Sequence, residues 1–275
     1  GKSMLSKRIP GILPPMSPVE ALETSMIHSL AGVLEEGGIN RTRPFQEPHH
    51  TASTAAIIGG GRTAKPGQIS LAHNGVLFLD EFPEFPRTVL ETLRQPIETG
   101  DVVVARANAH VTYPCRFLLL AAANPCRCGH LYDADQACGR APLCGEDYLG
   151  RISGPLLDRI DLHIQVPRQA PSLLLEKSGT AEGSDEVRRR VSDCRQRQLN
   201  RQHCCNARLS AELLLDNCKL TAGQRARLAE LAGQLQLSGR GLHRTLRVAR
   251  TIADMAGRET IRNEDIGEAL AYREN

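Results

Sequence analysis

A short apolar segment runs directly into two adjacent carboxylates, and this arrangement limits the folds open to the chain. Val76–Leu79 reads Val-Leu-Phe-Leu, and Asp80 and Glu81 follow without a break. A continuous apolar run of this length is typical of a strand buried on both faces, as in a parallel sheet covered by helices. Two carboxylates at the end of such a strand are costly unless they serve a cation or a reaction. The pattern predicts an α/β fold with a functional site at this strand end, although the pair would also serve as a cap for a following helix.

A second apolar run, 117–122, leads to Asn124. Between the two runs the sequence predicts a helix over 87–97 and a hairpin with arms at 102–105 and 111–113. Strands that alternate with helices indicate a parallel sheet with crossover connections. A neutral amide after the second strand can hydrogen-bond a phosphate or a water molecule without adding a repelling charge. An Asn before proline is also an ordinary turn residue, so only the neighbouring motifs favour the first interpretation.

The chain opens with Gly1, Lys2 and Ser3, which begin a predicted helix over 2–9. This tripeptide matches the tail of a phosphate-binding loop, whose lysine reaches the β- and γ-phosphates and whose serine binds Mg²⁺. Three residues match often by chance, so their weight comes from the carboxylate pair described above. Together the motifs predict that Asp80 orients Mg²⁺ and that Glu81 positions the attacking water.

Segments rich in Gly, Pro and small polar residues divide the rest of the chain. A second helix is predicted over 19–34. Residues 37–70 are rich in Gly, Pro, Thr and Ser and indicate a long functional loop or inserted element. Residues 169–186 have a linker composition, and the pattern from 187 onward is helical. We therefore expect a nucleotide-binding core over 1–168 and an all-helical domain over 187–275.

Composition excludes several classes of protein. Aromatic residues make up 3% of the chain, with no Trp, so recognition of bases by stacking is not expected. No apolar run approaches the roughly 20 residues that cross a bilayer, so no membrane partner is expected. Nine cysteines, an odd number, indicate a reducing, cytoplasmic location. Four cysteines in the loop 126–144 suit a structural zinc site, although their irregular spacing leaves free thiols as the alternative: Cys126, Cys128, Cys138 and Cys144.

Six segments occur in the order found in one known family: 44–51, 59–61, 66–75, 123–126, 151–161 and 242–256. They resemble the magnesium-chelatase-like AAA+ ATPases of the competence protein ComM type, and the resemblance covers essentially the whole chain. It implies a P-loop NTPase core with a parallel sheet, an all-helical lid, and ATP and Mg²⁺ as cofactors. By the resemblance, Gly1, Lys2 and Ser3 bind nucleotide, Asp80 and Glu81 form Walker B, and Asn124 is sensor one.

The resemblance also implies a homo-hexameric ring. In it Arg159 would be the finger that reaches the neighbouring subunit's ATP, with Arg151 as the alternative, and Arg240 would be sensor two in the lid. The family's amino-terminal Lon-like domain and the glycine-rich front of its phosphate loop are missing from this sequence. We therefore expect a fragment of a longer protein that hydrolyses ATP weakly or not at all by itself.

The implied activity is that of an ATP-driven DNA helicase that promotes branch migration in natural transformation and recombination. The alternatives are a chelatase-type motor that drives metal insertion, and a non-catalytic DNA-binding or assembly module. Cationic residues of the pre-sensor hairpin (101–114) and of the inserted loop would touch DNA: Arg106, His110, Arg62 and Lys65. The alternatives there are a plain surface hairpin and a solvated loop. The adjacent His49 and His50 suit a metal pair or a structural role in the loop.

Overall fold

Two compact units make up the chain in the computed structural model. The structure describes residues 1–34, 38–61, 63–106, 109–131, 138–167 and 182–273, and of residues 105, 106 and 109 only the backbone. One unit comprises Gly1–Pro10 and Pro15–Leu157, and the other comprises Gly11–Pro14 and Asp158–Asn275. The first unit ends at Leu157, eleven residues before position 168, where the sequence analysis ends the core. Within the helical unit, Asp158 accepts hydrogen bonds from Ser238 and Arg273.

The first unit alternates short strands with helices. Its helices are α1 (Lys2–Ser6), α3 (Pro18–Ala31), α4 (Thr54–Ile58), α5 (Gln68–Leu71), α6 (Arg87–Thr92), α7 (Arg94–Thr99), α8 (Leu143–Leu149) and α9 (Gly154–Leu157), while α2 (Ile9–Ile12) runs from the first unit into the second. Its strands are β1 (Phe45–Gln46), β2 (Gly59–Gly60), β3 (Lys65–Pro66), β4 (Val76–Leu79), β5 (Asp101–Arg106), β6 (Ala109–Pro114) and β7 (Leu118–Ala121). The predicted α/β fold with a parallel sheet is confirmed.

The central sheet has the strand order β1-β4-β7, and both pairings are parallel. Val76 is the register partner of Phe45 on one side and of Leu118 on the other. All four residues of β4 are at most 1% exposed, as predicted for a strand buried on both faces. The apolar run of β7, which suggests the same burial, is not buried in this way, because Leu118 is 43% exposed. Within the described residues β7 pairs only with β4, so it is an edge strand.

Strand β1 was missed by the sequence analysis, which predicted a loop over 37–70. Two prolines flank this strand, and it pairs over only two residues. Its place beside β4 depends on Gly75, where an added Cβ would lie 2.1 Å from the Pro44 carbonyl oxygen. That oxygen accepts a hydrogen bond from Val76 N at 2.8 Å. A side chain at Gly75 would therefore separate the two strands.

Helix ends also differ from the predictions. The helix predicted over 19–34 begins after a capping box at Ser17 and Glu20 and ends at Gly32, which has φ 76°. A left-handed glycine ends a helix because it lacks the Cβ that would clash there. Pro10 and Gly11, which follow the helix predicted over 2–9, lie inside α2. Proline is tolerated there because the first turn of a helix needs no N–H donor.

The second unit is helical, as predicted. Its main helices are α10 (Ser184–Gln202), α11 (Ala211–Cys218), α12 (Ala222–Gln234), α13 (Gly239–Met255) and α14 (Asn263–Ala271). Apolar side chains of α11 to α14, among them Leu214, Leu228, Leu246 and Leu270, form its core. A polar cluster lies inside this unit, where Asp254 is 2% exposed and bonds Arg201 at 2.5 Å. Most of the expected linker over 169–186 lies outside the described residues.

Candidate nucleotide-binding site

The parallel sheet brings three strand ends to one edge. Asp80 and Glu81 follow β4, Asn124 lies three residues after β7, and His50 lies four residues after β1. Ligands of open α/β sheets bind at the carboxyl ends of the strands, so this edge is the natural place for a site.

The first residues of the chain reach the same edge. Lys2 Nζ donates hydrogen bonds to the Ala123 carbonyl oxygen at 2.7 Å and to Asn124 Oδ1 at 2.8 Å. An ammonium group whose two acceptors here are neutral oxygens can exchange them for the oxygens of an anion. Gly1 is the N-cap residue of α1, without a side-chain cap. The structure thus brings Lys2 and Asn124, which are far apart in sequence, into direct contact.

Ser3 and Asp80 form the second link between the start of the chain and the sheet. Ser3 Oγ donates to Asp80 Oδ2 at 2.6 Å. The other carboxylate oxygen, Oδ1, accepts from the backbone N–H of Glu81 at 2.9 Å. A hydroxyl and a carboxylate are the hard oxygen donors that Mg²⁺ prefers, so these two residues fit a Mg²⁺ site.

The side chain of Glu81 contacts a different residue. Its backbone is left-handed, with φ 51°, which is uncommon for a residue other than glycine and often marks functional sites. Its side chain is 54% exposed, and Oε2 lies 3.2 Å from His50 Nδ1. The His50 ring lies 4.1 Å from the His49 ring, between centroids. The sequence analysis missed this partner of Glu81, because nothing in the sequence connects residues 31 positions apart.

The arginines expected to act in hydrolysis lie in different parts of the structure. Arg159 and Arg240 belong to the helical unit, where Arg159 is 7% exposed and Arg240 lies exposed in the first turn of α13. Arg151 belongs to the first unit, and its Nη1 lies 3.0 Å from Glu84 Oε2. Its side chain is 49% exposed. Exposure therefore favours Arg151 as a residue that reaches a neighbouring molecule, whereas the family pattern favours Arg159.

The predicted DNA-contacting residues lie on two connected elements. Strands β5 and β6 form the expected antiparallel hairpin, and exposed His110 lies near its tip. The Tyr113 hydroxyl donates to the Ala64 carbonyl oxygen at 2.9 Å, which ties the hairpin to the β2–β3 turn beside exposed Lys65. Arg62 lies outside the described residues, as does the side chain of Arg106.

The four cysteines that were predicted to bind zinc form two pairs. Cys126 Sγ lies 3.0 Å from Cys128 Sγ, and Cys138 Sγ lies 2.8 Å from Cys144 Sγ. The hydrogen bond from Cys128 lowers the pKa of Cys126 to about 7, and the bond with Cys138 raises the pKa of Cys144 to about 12.

Zinc fits this cluster in donor type and number but not in spacing. Four soft thiol ligands are what a structural zinc site uses. Tetrahedral thiolates at a Zn–S distance of about 2.3 Å stand roughly 3.8 Å apart, which is wider than either pair. In the described part of the chain no group of three or more His, Cys, Asp or Glu side chains has the arrangement of a metal site.

Comparison with known proteins gives one family match for each of two successive parts of the chain. The family described as "Magnesium chelatase, subunit ChlI" matches residues 1–174, and "Magnesium chelatase, subunit ChlI C-terminal" matches residues 181–273. The chain is 44% identical over 275 residues to "Competence protein ComM" of Haemophilus influenzae, which covers 99% of the chain and 53% of the relative. It is also 44% identical over 273 residues to "Uncharacterized protein YifB" of Salmonella typhimurium, covering 99% of the chain and 54% of that protein.

A more distant relative is "Magnesium-chelatase subunit ChlI" of Pyropia yezoensis, which is 25% identical over 218 residues, 78% of the chain and 54% of the relative. The chain thus spans about half the length of the curated relatives it matches. Among the described helices, none has both the length and the apolar character needed to cross a membrane.

Proposed function

Because the chain belongs to the magnesium-chelatase family of AAA+ ATPases, we propose that it forms the nucleotide-hydrolysing part of a DNA-translocating motor. The observation that carries the ATPase proposal is the set of contacts from Lys2 to Asn124 and from Ser3 to Asp80. Residues from three distant parts of the sequence meet there with the chemistry that ATP and Mg²⁺ require.

The residues at this edge suit the separate tasks of phosphoryl transfer. Lys2 is placed to exchange its carbonyl and amide acceptors for the oxygens of a β,γ-phosphate. Ser3 and Asp80 would hold Mg²⁺, which supplies charge neutralisation at the phosphates when it is bound. Glu81 would orient and polarise the attacking water, and Asn124 would hydrogen-bond the γ-phosphate or that water.

A DNA substrate is supported by one relative and by the hairpin. The name of the Haemophilus influenzae protein refers to competence, and that protein is 44% identical to the chain, against 25% for the chelatase subunit. The exposed His110 near the tip of the β5–β6 hairpin and Lys65 beside it suit contacts with a phosphate backbone, which are independent of sequence. We propose branch migration by a homo-hexameric ring. Metal insertion as a chelatase-type motor is the second candidate, because the ChlI subunit is also a relative.

The test is steady-state ATP hydrolysis with and without forked or single-stranded DNA. Since the chain covers about half of its relatives, it is extended at Gly1 with the residues that precede the matched segment in the Haemophilus influenzae protein. Glu81→Gln should abolish hydrolysis and keep nucleotide binding, because it removes the group that polarises water. A rate of ATP hydrolysis that DNA increases supports the DNA motor. A rate that DNA leaves unchanged favours the chelatase-type motor. No hydrolysis would leave only an assembly or DNA-binding role.

The same assay separates the two candidate trans arginines. Arg151→Ala and Arg159→Ala are each mixed with an excess of the Glu81→Gln variant. In a mixed ring, a Glu81→Gln subunit still supplies its arginine to the site of its neighbour, and an arginine variant still has an intact Walker B site. The variant that is inactive alone but regains hydrolysis in the mixture therefore lacks the trans finger. A variant that is inactive alone and stays inactive in the mixture lacks a group needed in its own subunit.

We also propose that the four clustered cysteines hold a structural zinc ion. Support comes from the two thiol pairs that the structure forms in the segment after Asn124, Cys126 with Cys128 and Cys138 with Cys144. Protein purified in reductant should contain about one zinc ion per chain, as measured by inductively coupled plasma mass spectrometry. Cys126→Ser should lose the zinc, and Cys204→Ser, in the helical unit, should keep it. A zinc-free wild-type protein would rule out the site.

A further inference from the structure

A single 3₁₀ turn, Phe82–Glu84, follows directly after Glu81, the residue assigned to water activation. The turn starts from the left-handed backbone of Glu81, whose carbonyl oxygen accepts a hydrogen bond from Glu84 N at 2.7 Å. Phe82 is 2% exposed, and its N–H donates to the Ala122 carbonyl oxygen at 2.9 Å. The sheet therefore fixes the start of the turn, whereas Glu84, at its end, is partly exposed.

Arg151 holds this exposed end of the turn. Its Nη1 donates to Glu84 Oε2 at 3.0 Å and to the Pro83 carbonyl oxygen at 3.3 Å. Carbonyl oxygens at the end of a helical turn lack partners within the turn, so a side-chain donor that binds one of them stabilises it. One guanidinium nitrogen thus joins the backbone of the turn to the carboxylate that the turn carries.

The backbone around Arg151 is itself anchored in the first unit. Arg151 lies between α8 and α9, next to Ile152, which is 6% exposed and whose N–H donates to the Leu149 carbonyl oxygen at 3.0 Å. Burial and the negative charges of Glu84 and Glu81 raise the pKa of Tyr148, so the end of α8 lies close to both carboxylates. Exposure leaves Arg151 accessible to a neighbouring molecule, but both of these contacts lie within its own unit.

Here we propose that Arg151 is a positioning residue that fixes the turn after Glu81 from within its own subunit. A left-handed backbone at a residue other than glycine is strained, so it persists only where the surrounding contacts hold it. Without Arg151 the turn relaxes, and Glu81 leaves the orientation in which it would polarise water. The inference rests on the proposed ATPase function, and it gives Arg151 a role in cis instead of that of a trans finger.

Loss of this contact should lower kcat and leave KM nearly unchanged in the chain extended at Gly1. We expect kcat of Arg151→Ala to fall about three- to fivefold, because a partly exposed ion pair contributes modestly, and KM to stay within about twofold. Arg151→Lys keeps a charged donor and should return kcat toward the wild-type value. Glu84→Gln should also lower kcat, and the double variant should be no slower than Arg151→Ala, because both changes break one contact.

Arg140→Ala is the matched control for these rates. Arg140 is also an exposed arginine near α8, but it pairs with Asp147, at 2.7 Å, so its variant should keep the wild-type kcat. An unchanged kcat in Arg151→Ala, or an equal loss in Arg140→Ala, overturns the inference.

A mixture with an excess of Glu81→Gln decides between a role in cis and a role in trans. The rate per Arg151→Ala subunit should stay low, because a neighbouring subunit cannot supply a group that acts inside another one. Wild-type subunits mixed with the same excess set the reference rate. Recovery of Arg151→Ala to that reference overturns the inference, since it makes Arg151 the trans finger.

Hydrogen exchange tests the contact on the chain as it stands, without nucleotide. The amides of Phe82 and Glu84, followed by nitrogen–proton NMR, should exchange about three- to fivefold faster in Arg151→Ala and at the wild-type rate in Arg140→Ala. Unchanged exchange in Arg151→Ala refutes the positioning role alone. Absence of ATP hydrolysis in every protein, with the wild type included, refutes the proposed function instead.

Discussion

Replacing Asp254 with alanine should lower the free energy of opening of the helical unit. The carboxylate is 2% exposed and accepts hydrogen bonds from Arg201 at 2.5 Å and from Asn206 at 2.8 Å. Arg250, which is fully buried, lies 3.1 Å from the same carboxylate. Removing one partner of a buried ion pair costs about 3–5 kcal/mol, because the remaining charge stays buried without compensation.

The structure places the expected value at the lower end of that range. The Arg250 guanidinium also donates to the Glu259 carbonyl oxygen at 2.7 Å, so it keeps an acceptor in the variant. Arg201 is 26% exposed and can turn toward water. We expect a loss of about 3 kcal/mol in the free energy of opening, which is close to a hundredfold in the equilibrium constant.

Hydrogen exchange measured by mass spectrometry tests this value in the unit concerned. Amides of helix Gly239–Met255 should exchange about a hundredfold faster in Asp254→Ala than in the wild type, because exchange of core amides reports opening of the whole unit. Asp216→Ala is the control, since Asp216 is an exposed acidic residue of a neighbouring helix and should change stability by no more than about 0.5 kcal/mol. An acceleration below tenfold would refute the reasoning that Asp254 compensates a buried charge.

Three further results are expected. Burial tends to raise the pKa of Asp254, but its hydrogen bonds with Arg201 and Asn206 and the charge of Arg250 lower it overall. The stabilisation from Asp254 is therefore complete above the unfolded pKa of about 3.9 and is lost as pH falls through the lower folded pKa, which hydrogen exchange between about pH 5 and about pH 2 would show. Gly75→Ala should destabilise the first unit, because its Cβ would meet the Pro44 oxygen at 2.1 Å, whereas Gly223→Ala, with open space around it, should not; thermal unfolding distinguishes them. The chain without any extension should hydrolyse ATP weakly or not at all, and a normal turnover number would contradict that expectation.

Local signals were sufficient for much of the fold. The apolar run at Val76–Leu79, the helical periodicity after 187 and the hairpin arms predicted elements that the structure contains. These features depend on short-range patterns of hydrophobicity and turn residues, which the sequence shows directly. Strand β1 escaped detection because a two-residue strand flanked by prolines carries no periodic signal. The exposure of β7 escaped detection because it depends on which strands lie beside it.

Contacts between residues far apart in sequence were decided by the tertiary structure. The residue types of the candidate site, Lys2, Ser3, Asp80, Glu81 and Asn124, were recognisable from motifs, because their chemistry is local to each strand end. The parallel order β1-β4-β7 sets the three strand ends side by side, and only the structure shows that Lys2 then bonds Asn124 and that Glu81 contacts His50. Sequence patterns thus determined which elements and chemical groups are present, whereas the side-by-side packing of the strands decided which of those groups meet.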